Sequence, residues 1–184
     1  MKHILVSLFI LIAIFSCEKD VTTESLRKNA ENCMKEAMIE AQNWLQTLDE
    51  IGYHVLADQK YPSPFNEIMA ENSKKDNIQK GIKRMEQEFG KAKERKFFGV
   101  HILLEGKLLT YVPEKMKGFK QISPRRLGVE KIEDIYKDNV EGTYALFMYE
   151  SKPTKKQKAE ELIAMWRDRN NKWWFVGYEI ADEI

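Results

Sequence analysis

Cys17 is the residue with the clearest chemical prospect. It follows Ser16 at the end of an apolar run from Ile4 to Phe15, which opens on Met1-Lys2-His3 and gives way to Glu18-Lys19-Asp20. A cationic start, a short apolar segment and a small residue before a cysteine form the layout of a bacterial lipoprotein leader, with cleavage between Ser16 and Cys17 and lipid on the Cys17 thiol. The run is about a dozen residues, short of the ~20 that a membrane-spanning helix needs. The expected organisation is a signal peptide over 1–16, a lipidated tether over 17–24 and a single domain over 25–184. An ordinary secretory leader with a fortuitous cysteine is the alternative. The expected location is the bacterial cell envelope, lipid-anchored at the outer membrane on its periplasmic or surface face.

Other reactive side chains are sparse. No His-Glu-x-x-His, Cys-x-x-Cys, Gly-x-Ser-x-Gly or phosphate-cradling glycine loop occurs. Past the leader the histidines are His54 and His101, too few to set up a zinc site with supporting spacing, so no metal and no cofactor are expected. Cys33 falls on an apolar stripe and reads as a buried thiol. With Cys17 lipidated it has no disulfide partner. His101 shares strand parity with Phe97, Gly99 and Leu103, which places it toward the apolar side. There it can serve as an acid or base beside Tyr178, or stand as a hydrogen-bonded strand histidine. Arg95 reads as a pocket cation or as an edge arginine paired with a helix carboxylate. Together with Trp174, these three make the candidate pocket set: His101, Arg95, Trp174 and Tyr178.

Charge excludes one class of partner. Removing the first 16 of 184 residues leaves 168, with 29 basic and 29 acidic side chains once Lys2 is gone. A balanced chain gives no case for nucleic acid. The run Lys152 to Lys158, with Lys115, Lys117, Lys120, Arg125 and Arg126, either meets anionic headgroups or glycans or is a solvated loop. It lacks the interleaved aromatics of a base-stacking surface. A domain of this size buries roughly 70% of its unfolded surface, enough to do without disulfides.

The elements that must position these groups follow from periodicity. Leu26, Ala30, Cys33, Met34, Ala37, Met38, Ala41, Trp44, Leu45, Leu48 and Ile51 recur at three- and four-residue steps, which predicts a long helix from Ser25 to Ile51. Thr22 or Thr23 caps its start and Gly52 ends it. Pro62 and Pro64 mark a loop. A second helix spans about Lys74 to Phe89, with Ser73 as cap and Gly90 as stop. The remainder reads as strands: 97–104, 107–112 after a Glu105-Gly106 turn, 143–151, 159–167 and 172–180. The basic stretch 114–128 reads as irregular, and 129–136 as ambiguous between strand and helix.

The last two strands form a hairpin if Asn170-Asn171 adopts a tight turn. Trp166 then faces Phe175 and Ala164 faces Gly177 on one side, with Arg167 facing Trp174, Met165 facing Val176 and Ile163 facing Tyr178 on the other. Both sides are apolar. One is expected to pack on the long helix, through Leu162, Trp166, Trp173 and Phe175. The other, with Ile163, Met165, Trp174, Val176 and Tyr178, must meet the 53–72 segment, a ligand or a second copy.

Ala41-Gln42-Asn43-Trp44-Leu45, then Asp49 and Gly52-Tyr53, then Gly90, Arg95, Gly99, Gly142-x-Tyr144-Ala145-x-Phe147, and a close on Trp173-Trp174-Phe175-Val176-Gly177-Tyr178 follow a recognisable order. The pattern, over about residues 25–182, resembles the small secreted bacterial domains of unknown function 4019, and more loosely the nuclear-transport-factor-2-like (NTF2-like) and cystatin-like folds. That resemblance implies an α+β fold, with a long N-terminal helix packed on a curved antiparallel sheet and a second helix at one end. It implies no activity. The expected role is a membrane-anchored, non-catalytic module for an envelope protein or small ligand, with a homodimer possible. The alternatives are an enzyme using His101 and Tyr178 in a sheet concavity, and an inhibitor-like module.

Overall fold

A computed structural model describes residues 23–63, 65, 75–123 and 142–182, without the side chains of 75–78. The leader, Ser16, Cys17 and most of the tether lie outside the described residues, as do the Ser73 cap, Arg125, Arg126 and the 129–136 segment.

Helix α1 runs Glu24–Ile51. Thr23 Oγ1 accepts from the Leu26 N–H at 3.3 Å, satisfying one of the donors that a helix start leaves free. At the other end Gly52 has φ 90°, and its N–H donates to Leu48 O at 2.7 Å. Leu26, Ala30, Cys33, Ala37, Ala41, Trp44, Leu45 and Leu48 are buried along one stripe. Three of these eight are alanines, which let the helix approach the sheet closely. A 3-10 turn, Tyr53–Leu56, follows, and then helix α2, Lys75–Glu88.

Among the described residues six antiparallel strands follow: β1 Ala92–Leu104, β2 Lys107–Tyr111, β3 Lys120–Gln121, β4 Thr143–Pro153, β5 Ala159–Arg167 and β6 Trp173–Ala181. Their order is β3-β2-β1-β4-β5-β6, an open sheet with α1 packed on one face. This is an α+β fold with a long N-terminal helix and a shorter second one, as the periodicity implies. The stretch read as irregular carries β3, whose Leu109↔Gln121 pairing extends the sheet by one short strand. Between β1 and β2, Glu105 and Gly106 have φ 53° and 68°, the positive pair that a two-residue hairpin turn requires.

Two bulges redirect side chains that strict alternation assigns otherwise. In β1, Phe97 pairs Tyr149 but Gly99 pairs Met148, so one extra residue is inserted. A Cβ on Gly99 would lie 2.8 Å from Tyr111 O, so the close backbone approach requires glycine there. Arg95 and Phe97 therefore share the helix face with Val100, Ile102 and Leu104, while His101 and Leu103 point to the opposite face. The parity linking His101 to Phe97 is overturned by this bulge.

The second bulge lies in β6. Beyond it the expected register stands, with Ala164↔Gly177 and Ile163↔Tyr178. Toward the turn it slips by one, to Met165↔Phe175, Trp166↔Trp174 and Arg167↔Trp173. The turn explains the slip. Of the two asparagines only Asn171 has positive φ, 64°, and the loop is closed by Asp168. The Asp168 carboxylate accepts from the Asn170 and Lys172 N–H groups at 2.8 and 2.9 Å. As a result Ile163, Met165, Trp173, Phe175 and Tyr178 face α1, and Trp166, Trp174 and Val176 face away. The expected division of the hairpin is corrected: Leu162 and Trp166 leave the helix face, and Ile163, Met165 and Tyr178 join it.

The face away from α1 is covered in part from within the chain. Phe65 lies edge-on to Trp166 at 5.2 Å and to Tyr144 at 6.4 Å, with Leu103 and Tyr61 alongside. Of the three occupants considered for a second apolar face, the 53–72 segment thus contributes at least this aromatic plug.

Candidate functional site

Arg95 and Tyr178, two of the four candidate pocket residues, converge under the C-terminal end of α1, on a carboxylate that strand alternation places there. Glu161 shares the helix face of β5 with Ile163 and Met165, and its side chain is fully buried. Arg95 Nε donates to Glu161 Oε2 at 2.7 Å, and Tyr178 Oη donates to the same oxygen at 3.0 Å. The other side of the guanidinium reaches helix α1. Nη1 donates to Asp49 Oδ1 and Oδ2 at 2.7 and 2.6 Å. Arg95 thus ties α1 to β1 and β5, and Tyr178 adds β6.

Tyrosines surround the ion pair. Tyr53 lies against Tyr178, with ring centres 6.1 Å apart, and its hydroxyl donates to Gly90 O at 3.0 Å. Tyr149 stands against Phe97 at 5.8 Å, and its buried hydroxyl has no partner. Glu161 Oε1 is likewise buried and unpartnered. Trp44 covers the group from above: it stacks on Phe175 at 3.9 Å and tilts onto Tyr178 at 5.3 Å, while its Nε1 donates to Gln59.

Burial sets the proton chemistry of these groups. It pushes the Tyr53 and Tyr149 hydroxyls up to about 12, and Tyr178 well above its ordinary value, where the Glu161 charge adds to the effect. All three hold their protons at neutral pH; Tyr53 and Tyr178 donate to Gly90 O and Glu161, whereas Tyr149 has no acceptor. Burial also works against the Arg95 cation, but hydrogen bonds and charge from Asp49 and Glu161 outweigh it, and the guanidinium is held protonated above its usual range. A small space of ≈ 10 Å³ opens beside Arg95, lined by Asp49, Gly52, Tyr53 and Lys91 among others, the volume of about one water. The arrangement is a buried clamp, and its chemistry is to hold four elements in register.

His101 and Trp174 stand on the other face, apart from this cluster. His101 lies between Thr110 on β2 and Leu146 on β4 and is 8% exposed. Neither ring nitrogen has a hydrogen-bond partner, and burial pushes its pKa down to about 4. Trp174 Nε1 donates to Asp168 Oδ2 at 2.9 Å, and Lys172 Nζ sits 3.9 Å over its ring. The pairing of His101 with Tyr178 is therefore corrected: the sheet separates them.

Glu161, Tyr149, Tyr53 and Asp49 complete the cluster but were not singled out as site residues from sequence. One signal was available, since Glu161 breaks the apolar series Glu161, Ile163, Met165 on a single strand face. The reading of Arg95 as paired with a helix carboxylate is the one the geometry carries. Cys33 is buried, as its stripe position implies. Burial raises its pKa, and Arg167 Nη1 lies 3.6 Å from the sulfur. Several lysines of the 152–158 run are committed locally: Lys152 to Glu94 at 2.6 Å, Lys155 to Glu86 O at 2.7 Å and Lys156 to Asp182 at 2.9 Å. Among the described residues no group of three or more His, Cys, Asp or Glu could hold a metal ion, and no helix is long and apolar enough to cross a membrane. No family model matches the chain, and neither a curated protein nor a solved structure matches it.

Proposed function

We propose that this chain is a lipid-anchored module of the bacterial cell envelope whose folded domain acts by binding rather than by catalysis. The observation that carries the reading is the placement of Ser16-Cys17 between the apolar leader and a helix that begins at Glu24. Only the six residues 18–23 separate Cys17 from α1. At ~3.5 Å per extended residue, that holds the first turn of α1 within roughly 25 Å of the lipid. The non-catalytic half of the reading is supported by the polar cluster. Arg95 and Tyr178 both bond to Glu161 Oε2 in a clamp beneath α1, beside a space for about one water. Kinship with the domains of unknown function 4019 belongs to the same proposal and rests on the ordered motifs, chiefly the closing Trp173…Gly177-Tyr178.

The test is fractionation of cells that express the natural chain and a Cys17→Ser variant. Lipid chains contribute ~0.8 kcal/mol per buried methylene, so the natural chain partitions into detergent and the variant does not. Metabolic labelling with a clickable fatty acid should mark the natural chain alone. A Cys17→Ser variant that keeps both label and partitioning would refute the anchoring.

A further inference from the structure

A second space, open to solvent, lies outside the clamp. It is a groove of ≈ 470 Å³ between the 3-10 turn and α2, lined by His54, Gln79, Lys80, Ile82, Lys83 and Glu86. That volume falls within the ~300–1,000 Å³ of small-ligand sites. Ile82, only 2% exposed, gives it an apolar floor, and the rim is polar.

The charges on that rim divide into committed and uncommitted groups. Glu86, its one carboxylate, faces His54 Nε2 at 3.2 Å, and its backbone carbonyl takes Lys155 Nζ. Arg84, on the same helix but outside the groove, is occupied by Glu88 at 2.9 Å. Lys80 and Lys83 enter none of the ion pairs or hydrogen bonds of the described residues. They stand three apart on α2, so both ammonium groups project over the same turn and open toward the groove. Two free cations, a side-chain amide and an imidazole around an apolar floor suit an anion borne on a compact organic body.

We propose that this groove binds the carboxylate or phosphate group of a small ligand, with Lys80 and Lys83 as the charge partners, Gln79 as a hydrogen-bond donor and Ile82 under the ligand's apolar part. Its position adds a direction. The 3-10 turn follows the C-terminal end of α1, and 28 helical residues at ~1.5 Å each put that end about 40 Å from the tether. On the lipid-anchored reading, the groove thus lies at the end of the domain's long helix opposite the anchor.

Calorimetric titration of the full lipidated chain in non-ionic detergent tests the assignment. Inorganic phosphate is the probe in one arm and glucuronate in the other. Saturable binding in either arm is expected, and the arm that binds identifies the anion. A Lys80→Gln/Lys83→Gln double variant should lose at least tenfold in affinity with an unchanged melting temperature. A Lys28→Gln/Lys35→Gln control on exposed positions of α1 should bind as the natural chain does, and added salt should weaken binding. Absence of saturation in both arms, or equal affinity in the Lys80/Lys83 variant and the control, would overturn the proposal. The same double variant should still fractionate with membranes, so failure of the groove and failure of the anchor are read separately.

Discussion

The two faces of the sheet bury their ionisable groups differently, although each also leaves some polar atoms unpartnered, Tyr149 Oη and Glu161 Oε1 on the helix side among them. On the helix face, Arg95, Glu161 and Tyr178 are hydrogen-bonded to one another and to α1, inside a wall of stacked aromatics. On the far face, His101 and the Trp166 indole nitrogen are buried without partners, beside the Phe65 plug. A charged group survives burial only when paired, whereas a histidine can shed its proton and stay neutral. The helix face therefore keeps its charge as an ion pair, and the far face keeps a group that titrates against the fold.

That contrast can be broken from either side, and the largest effect belongs to the helix face. Trp44→Ala removes the stack on Phe175 and opens a cavity over Tyr178. The expected cost is about 3–5 kcal/mol, read as a shift in the denaturant midpoint at unchanged slope. A cost near 1 kcal/mol would mean that α1 packs on this face only loosely. Glu161→Gln leaves Arg95 buried with Asp49 as its remaining anion. Because that partner persists, the expected loss is about 2–3 kcal/mol, below the range for a stranded charge. An Arg95→Met/Glu161→Leu double variant should recover part of the loss. If the double variant is the less stable of the two, the clamp contributes more than paired charge.

The far face answers to pH. His101 has a folded pKa of about 4 against an ordinary 6.5, so the unfolded chain binds a proton that the fold excludes. Stability is then full above pH 6.5 and falls as pH drops toward 4, by about 3 kcal/mol across the window. Chemical denaturation at steps between pH 7 and 4 should show the slope, and His101→Gln should flatten it. An unchanged slope in that variant would assign the acid loss to other groups. The smallest effect sharpens the comparison. Tyr178→Phe removes one hydrogen bond to a Glu161 oxygen that Arg95 still holds, for about 1 kcal/mol. A loss as large as that of Trp44→Ala would show that the hydroxyl organises the clamp and does not merely decorate it.

Both faces were partly legible before folding. The apolar stripe from Leu26 to Leu48, the Thr23 and Gly52 boundaries and the strand runs follow from local periodicity, because each is a property of a few neighbouring residues. The candidate site was legible in its parts. Arg95 and Tyr178 were singled out, but His101 was grouped with them because strict alternation was carried through Phe97 and Gly99.

The sequence by itself determined the two helices, the core of five of the six strands and which of them are apolar enough to pack, but not β3 or the start of β1 at Ala92. Tertiary structure alone decided which side chains share a face. One inserted residue in β1 sends His101 away from Arg95, and one in β6 brings Tyr178 under α1 while Trp174 stays outside. A β-strand has a side-chain period of two, so a single-residue bulge inverts everything beyond it. Such a bulge is set by cross-strand pairing, as at Gly99 against Tyr111 and Met148, and by turn closure, as at Asp168. Those contacts join residues far apart in the chain, and no local pattern encodes them.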